Sequence, residues 1–369
     1  MLDQSPQDLL EYSVVFTDRS VNHMSARFQA CMNSLHAGLT DTYKAESMVL
    51  VPGGGSYAME AVARQFGLGK RKTFLRNGWF SYRWTQIFDA IEPGHRAPVL
   101  KAQRTGAGET APFAPMALEE VVKHIAATKP QVFFAPHVET SAGMVLPDDY
   151  IREVGAAVRA NDGLFVLDCV ASGAVWIDMQ ALNVDVMVTA PQKGWSSSPS
   201  AGVVLMGARA LDRMDEIRAS SFTVDLGKWH QIMQAYLNGG HAYHATMPTD
   251  ALLGFNDNMN ETLDFGLQNC RAAQERIGSE LRAILAEQGY HSVAAEGFQA
   301  APVVVCFAPS ADMQNGSAFA AQGLQIAAGV PLAIDEGPDY RSFRFGLFGL
   351  DKLKNPERTI SRVREAMGW

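Results

Sequence analysis

Asp168 closes an apolar run, LFVLD, and Lys193 follows a second one, DVMVTA, by way of Pro191 and Gln192. Two such runs joined by a crossover read as neighbouring parallel strands. Their C-terminal ends then lie side by side, at the edge where α/β sheets bind ligands. A carboxylate and an amine at that edge face one crevice. An amine there can condense with an aldehyde, and a carboxylate can keep a pyridine nitrogen protonated, so the pair suits pyridoxal 5′-phosphate. The same spacing also accommodates a solvated loop lysine and an aspartate that caps a helix.

Other residues reach the same edge. Gly53, Gly54 and Gly55, with Ser56, come directly after MVLVP and open a helix, so their backbone N–H groups can approach an anion with help from the helix dipole. No GK[ST] follows, so this is not a P-loop, and a plain tight turn has the same pattern. HVETSAG (137–143) carries Glu139 and Thr140 past another strand. The Thr140 hydroxyl can bond a phenolic oxygen or simply cap a turn. In RNGWFSYRW, Trp79 and Phe80 offer faces for stacking on a planar ring or belong to the core, and Arg83 is expected to make a structural ion pair or hydrogen bond. Arg344 sits in an otherwise apolar strand, SFRFGLFG, and requires a carboxylate partner from the protein or from a substrate. His241 and His244 lack a completing ligand at metal spacing, so no metal site is expected.

These residues need elements to place them. After an N-terminal arm (1–20), strand-like and helix-like segments alternate through residues 21–258, which predicts a mainly parallel sheet covered by helices on both faces. SAGVVLMG is expected to return antiparallel. Residues 259–369 read as a smaller α+β domain, entered through one long helix over 260–289 and ending in NPERTISRVREAMGW. The fold class is α/β.

Composition narrows the function. A chain of 369 residues with 47% hydrophobic and 19% charged content is globular, with room for two cores. The formal net charge of −8 offers nothing to nucleic acid or to an anionic membrane surface, and no apolar run is long enough to span a bilayer. The polar, acidic start MLDQSPQDLLEY is unlike a signal peptide, and Cys31, Cys169, Cys270 and Cys306 form no CxxC pair. Reduced thiols in a cytoplasmic protein are the expectation.

In combination and in this order, GGGSYAMEA, NGWF, HVETSAG, LDCVAS with the ID that follows, TAPQKGW, YHAT and RFGLFG resemble the class V aminotransferases of the type I pyridoxal-phosphate fold. The alanine–glyoxylate and serine–pyruvate branch is the nearest, over residues 48–350. The resemblance implies Lys193 as the Schiff-base lysine and proton carrier, with Asp168 on the pyridine nitrogen. It implies Val170 and Phe80 on the two ring faces, Thr140 on the phenolic oxygen, and Gly54, Gly55, Ser56 and Gln192 on the phosphate. Tyr243 and Thr246 would reach the phosphate of the neighbouring subunit, making a homodimer with shared active sites, and Arg344 would bind the substrate carboxylate. The implied reaction is a ping-pong transfer from an amino acid or small amine to a 2-oxo acid such as pyruvate or glyoxylate.

The family's N-terminal glycine–proline segment is replaced here by FTDRSVNHMSAR. Arg19 or His23 is therefore expected either to supply a second anion site, favouring a donor with a distal carboxylate, phosphonate or sulfonate, or to lie on a surface arm. A lyase or decarboxylase on the same fold is the alternative activity. A cysteine desulfurase needs a nucleophilic cysteine on a mobile loop, which Cys306 in a strand and Cys270 in a helix do not provide. A cofactor-binding protein that has lost catalysis is opposed by the intact Lys193, Asp168 and Arg344.

Overall fold

A computed structural model describes residues 12–17, 19–214, 217 and 220–369. Most of the expected N-terminal arm, residues 1–11 and 18, lies outside the described residues.

The apolar runs form one seven-stranded sheet in the order Ser47–Pro52, Ala201–Met206, Val186–Thr189, Leu164–Asp168, Val132–Pro136, Lys72–Arg76, Val99–Lys101. Ala201–Met206 pairs antiparallel with both its neighbours, as expected, and the remaining pairings are parallel. Every residue of Leu164–Asp168 and of Val186–Thr189 is buried, the mark of strands covered on both faces. Phe74, Phe88 and Phe134 pack on one another with ring centroids 5.3 to 5.5 Å apart. Each such ring contributes about 1.5–3 kcal/mol through burial.

Three helices adjoin the strands Ser47–Pro52 and Lys72–Arg76 in the chain. Helix α1 (Ala26–Tyr43) is capped by Ser25, whose Oγ accepts from the Phe28 N–H at 3.1 Å. Helix α2 (Gly55–Val62) starts just past the strand Ser47–Pro52, and α3 (Trp79–Ile91) just past Lys72–Arg76. All six strands that share one direction deliver their C-terminal ends to the same edge of the sheet.

The C-terminal part builds a three-stranded antiparallel sheet, with Ser342–Gly346 between Val303–Phe307 and Ala327–Ala328. Its core joins Phe343 and Phe345 to Ile277, Leu281 and Leu285 of the helix Leu267–Glu287. The single long helix expected over 260–289 is two helices, Thr249–Phe265 and Leu267–Glu287. Gly266 lies between them at φ +96°, a backbone state that L side chains resist and that cannot continue an α-helix. The expected boundary after residue 258 falls inside the first of these helices.

Candidate active site

The lysine loop is held from three directions. The Ser197 N–H returns to the Pro191 carbonyl at 3.1 Å, and Ser196 Oγ accepts from the Leu350 N–H of the C-terminal part. Gly194 passes so close to Gly173 that a Cβ would sit 2.3 Å from its carbonyl oxygen. The loop thereby carries Lys193 and Gln192 over the end of the strand Leu164–Asp168.

There a cavity of about 390 Å³ opens. Lys193 and Asp168 line it together, as do Phe80 and Val170, Thr140 and Gln192, Gly55 and Ser56, and Arg344. Gly54, the residue before α2, is extended at φ −179°. Gly55 needs its missing side chain, because a Cβ would lie 2.8 Å from Val170. The Tyr57 and Ala58 N–H groups bond the Gly54 carbonyl, which leaves the Gly55 and Ser56 N–H groups at the start of α2 for an anion.

Charge in this cavity is arranged in two ends. Asp168, 9% exposed, is pushed up to about 6, first by burial, against the pull of the Val170 N–H that its Oδ1 accepts at 2.9 Å. Glu139 raises it further and Arg83 opposes this. Behind it, the buried His137 donates its backbone N–H to the Asp168 carbonyl at 2.8 Å, and its Nδ1 lies 2.7 Å from Ser172 Oγ. Burial lowers the His137 imidazole to about 4, so it is neutral. Lys193 is lowered by burial and then by the neighbouring Arg344. Its Nζ lies 4.7 Å from the ring centroid of Phe348. Arg344 donates from Nε to the Ala328 carbonyl at 2.9 Å, and its guanidinium lies 5.6 Å from the Phe80 ring centroid. No carboxylate among the described residues forms an ion pair with Arg344, although the charge of Glu139 acts on it and opposes the lowering of its pKa by burial.

Glu139 was legible only as a residue at the edge; it is a fully buried brace. Its Oε1 accepts from the N–H groups of Phe80 at 3.1 Å and Ser141 at 3.0 Å, and its Oε2 from the Ser81 N–H at 2.8 Å. The hydroxyls of Ser81 and Ser141 add contacts at 2.6 and 2.7 Å. A buried carboxylate is thus satisfied by the first turn of α3, which fixes Phe80. Gly78 allows the approach, since a Cβ there would sit 2.2 Å from Ser141 Oγ. Glu139→Gln should cost about 3 kcal/mol in urea denaturation of the apoprotein, because an amide N–H₂ must then face backbone donors. A loss under about 1 kcal/mol would show that the brace is not needed.

Sequence reasoning missed Phe348 against the lysine, although RFGLFG contains it. It placed Arg83 in a structural ion pair or hydrogen bond; Arg83 lines the cavity and donates from Nη1 to Ser56 Oγ at 2.9 Å. Tyr243 and Thr246 lie outside this cavity, hydroxyl to hydroxyl at 3.1 Å, with Tyr243 56% exposed. Neither Arg19 nor His23 lines the cavity either. Arg19 is exposed, and the buried His23 ring packs at 5.7 Å from both His241 and Tyr243. No cluster of potential metal ligands occurs among the described residues.

The residues present fit pyridoxal 5′-phosphate. Gln192 Oε1 is a buried polar atom with no protein partner, Arg344 makes no ion pair with a carboxylate among the described residues, and Phe80 and Val170 both line the cavity.

A family model described as aminotransferase class-V matches residues 4–333. The chain is 26% identical over 267 residues to an L-aspartate–glyoxylate aminotransferase of Paracoccus denitrificans, covering 72% of this chain and 64% of that protein, less than two thirds of its length. It is 24% identical to a 2-aminoethylphosphonate–pyruvate transaminase of Salmonella paratyphi C, over 87% of this chain and 83% of the other. Among solved structures, an alanine–glyoxylate aminotransferase from Nostoc sp. superimposes with a TM-score of 0.77 at 22% identity, over 94% of this chain and 89% of its own.

Proposed function

We propose, since this chain belongs to the class V aminotransferase family, that it is a transaminase dependent on pyridoxal 5′-phosphate, moving an amino group from an amino acid or small amine to a 2-oxo acid such as pyruvate or glyoxylate. The observation that carries the reading is the convergence of Lys193, Asp168 and Arg344 on one cavity that Phe80 and Val170 also line. When bound, the cofactor supplies an electron-poor ring that accepts the electron pair released at the substrate Cα.

The protein's own residues do the rest. Asp168 holds a proton on the ring nitrogen, and its burial makes that ion pair strong. Phe80 and Val170 would pack on the ring, and the Thr140 hydroxyl would bond the phenolic oxygen. The amides of Gly54, Gly55 and Ser56, with Gln192, hold the phosphate. Arg344 holds the substrate carboxylate with the guanidinium nitrogens not used on Ala328. Lys193 would hold the cofactor through its amine, and that amine would carry a proton to and from the substrate. Its lowered pKa favours the neutral amine that this task needs.

Homodimerisation with shared sites is part of the proposal. Tyr243, Phe222 and Tyr57 are exposed aromatic side chains, at 56%, 71% and 56%, and a second subunit's Tyr243 and Thr246 would close the phosphate site at the start of α2. Four buried free thiols suit the reducing cytoplasm, and no helix among the described residues is long and apolar enough to cross a membrane. A lyase that relies on a thiol nucleophile is disfavoured. Burial pushes Cys306 up to about 12 and Cys270 to about 11, leaving no accessible thiolate.

Separating the half-reactions tests the reading. With donor and no acceptor, the holoenzyme should release one equivalent of oxo product per cofactor and stop; a 2-oxo acid should then restart it. Continuous donor turnover without acceptor would mean a lyase. Failure to bind the cofactor at all would end the proposal.

A further inference from the structure

Two arginines flank the same aromatic ring and do different work. The guanidinium carbons of Arg83 and Arg344 lie 5.4 and 5.6 Å from the Phe80 centroid. Arg344 shares its end of the cavity with Lys193, whose charge it opposes, and with Glu139. Arg83 belongs to the other end. It stands on the first turns of α3, donates to Ser56 Oγ at the start of α2, and acts electrostatically on Asp168.

That end needs a formal positive charge. Helix amides and a glutamine present dipoles, which bind a phosphate dianion less firmly than a guanidinium does. Arg83 is available, because no carboxylate among the described residues pairs with it and Nη1 alone is engaged, on a hydroxyl that itself faces the expected anion. Arginines elsewhere in the fold are held by several protein oxygens, Arg159 and Arg209 by the buried Asp185 and Arg76 and Arg282 by two partners each, whereas Arg83 has the one hydroxyl.

We propose that Arg83 is the charged ligand of the cofactor phosphate, working through the Ser56 end of α2; this rests on the transaminase reading. Its consequence is an affinity that depends on the phosphate group and not on the ring.

Pyridoxamine 5′-phosphate and pyridoxamine test this cleanly, since they share the ring and neither can condense with Lys193. Calorimetric titration of the apoprotein should show Arg83→Gln weakening the phosphorylated ligand about ten- to hundredfold, with pyridoxamine unchanged. Arg83→Lys, which keeps the charge but not the fork, should retain most of the preference for the phosphorylated ligand, and it decides the matter if the glutamine variant does not fold. Equal weakening of both ligands would make Arg83 a structural brace for Ser56 and overturn the assignment, as would no change in either. Normal binding by the wild type alongside either result leaves the transaminase reading standing. A wild type that binds neither ligand removes that reading and this one together.

Discussion

Lys193→Ala is expected to leave a folded protein whose transamination is slower by at least about 10⁴-fold. Two functions disappear with one side chain: the anchor for the aldehyde and the base that moves a proton, and the second alone accounts for about 10²–10⁴. The loop should survive, because its geometry depends on Gly194 against Gly173, on Ser197 bonded to Pro191, and on Ser196 bonded to Leu350. The lysine side chain makes none of these contacts. Its removal leaves space beside Phe348 and Arg344 that a small primary amine can enter, so millimolar methylamine should restore part of the rate. A variant that kept more than about 1% of wild-type turnover would place the proton-moving group elsewhere.

Asp168→Asn is expected to move stability and activity in opposite directions. In the unfolded chain this carboxyl titrates near 3.8; in the fold, burial lifts it to about 6. A raised carboxyl pKa means that the native state binds the proton more tightly. Stability contributed by Asp168 is therefore full below pH 3.8 and falls as pH rises towards 6, then stays low. Two pK units correspond to about 3 kcal/mol that the apoprotein forgoes at neutral pH. Asparagine accepts the same Val170 N–H without a charge, so the apo variant should melt several degrees higher than wild type at pH 7 to 8 and equally at pH 4. Transamination should fall at least about 10³-fold, since nothing then stabilises a protonated ring nitrogen. An apo variant no more stable than wild type at neutral pH would mean that solvent or a neighbouring subunit already relieves the buried charge.

What the sequence disclosed follows its chemistry. Strands alternating with helices placed Asp168, Thr140, Gln192 and Lys193 at one sheet edge, because a strand's C-terminal residue has a known position once its direction is known. Arg344 announced itself as a charge in an apolar strand. Harder were contacts between side chains from remote segments. The reach of Glu139 to α3 depends on the offset between two strand ends and on the absence of a Cβ at Gly78, neither of which has a pattern in one dimension. Arg83 was expected in a structural ion pair or hydrogen bond; it has the hydrogen bond, to Ser56, but its place in the cavity lining had no pattern in the sequence. The helix break at Gly266 lay in an unbroken helical pattern, and single glycines in such patterns are often tolerated. The segment around Arg19 and His23 was left between a second anion site and a surface arm; Arg19 is exposed, while His23 is buried and packs beside Tyr243.

The knot around Glu139 has a consequence for inheritance. The stretches 77–81 and 139–141 are read from separate parts of the coding sequence, yet Gly78, Ser81, Glu139 and Ser141 satisfy one another's polar groups and leave almost no room for a change in one alone. Selection would see the two stretches as a single locus. A chimera that imports one of them in a form lacking these polar groups should lose stability, and one that imports both from the same relative should recover it.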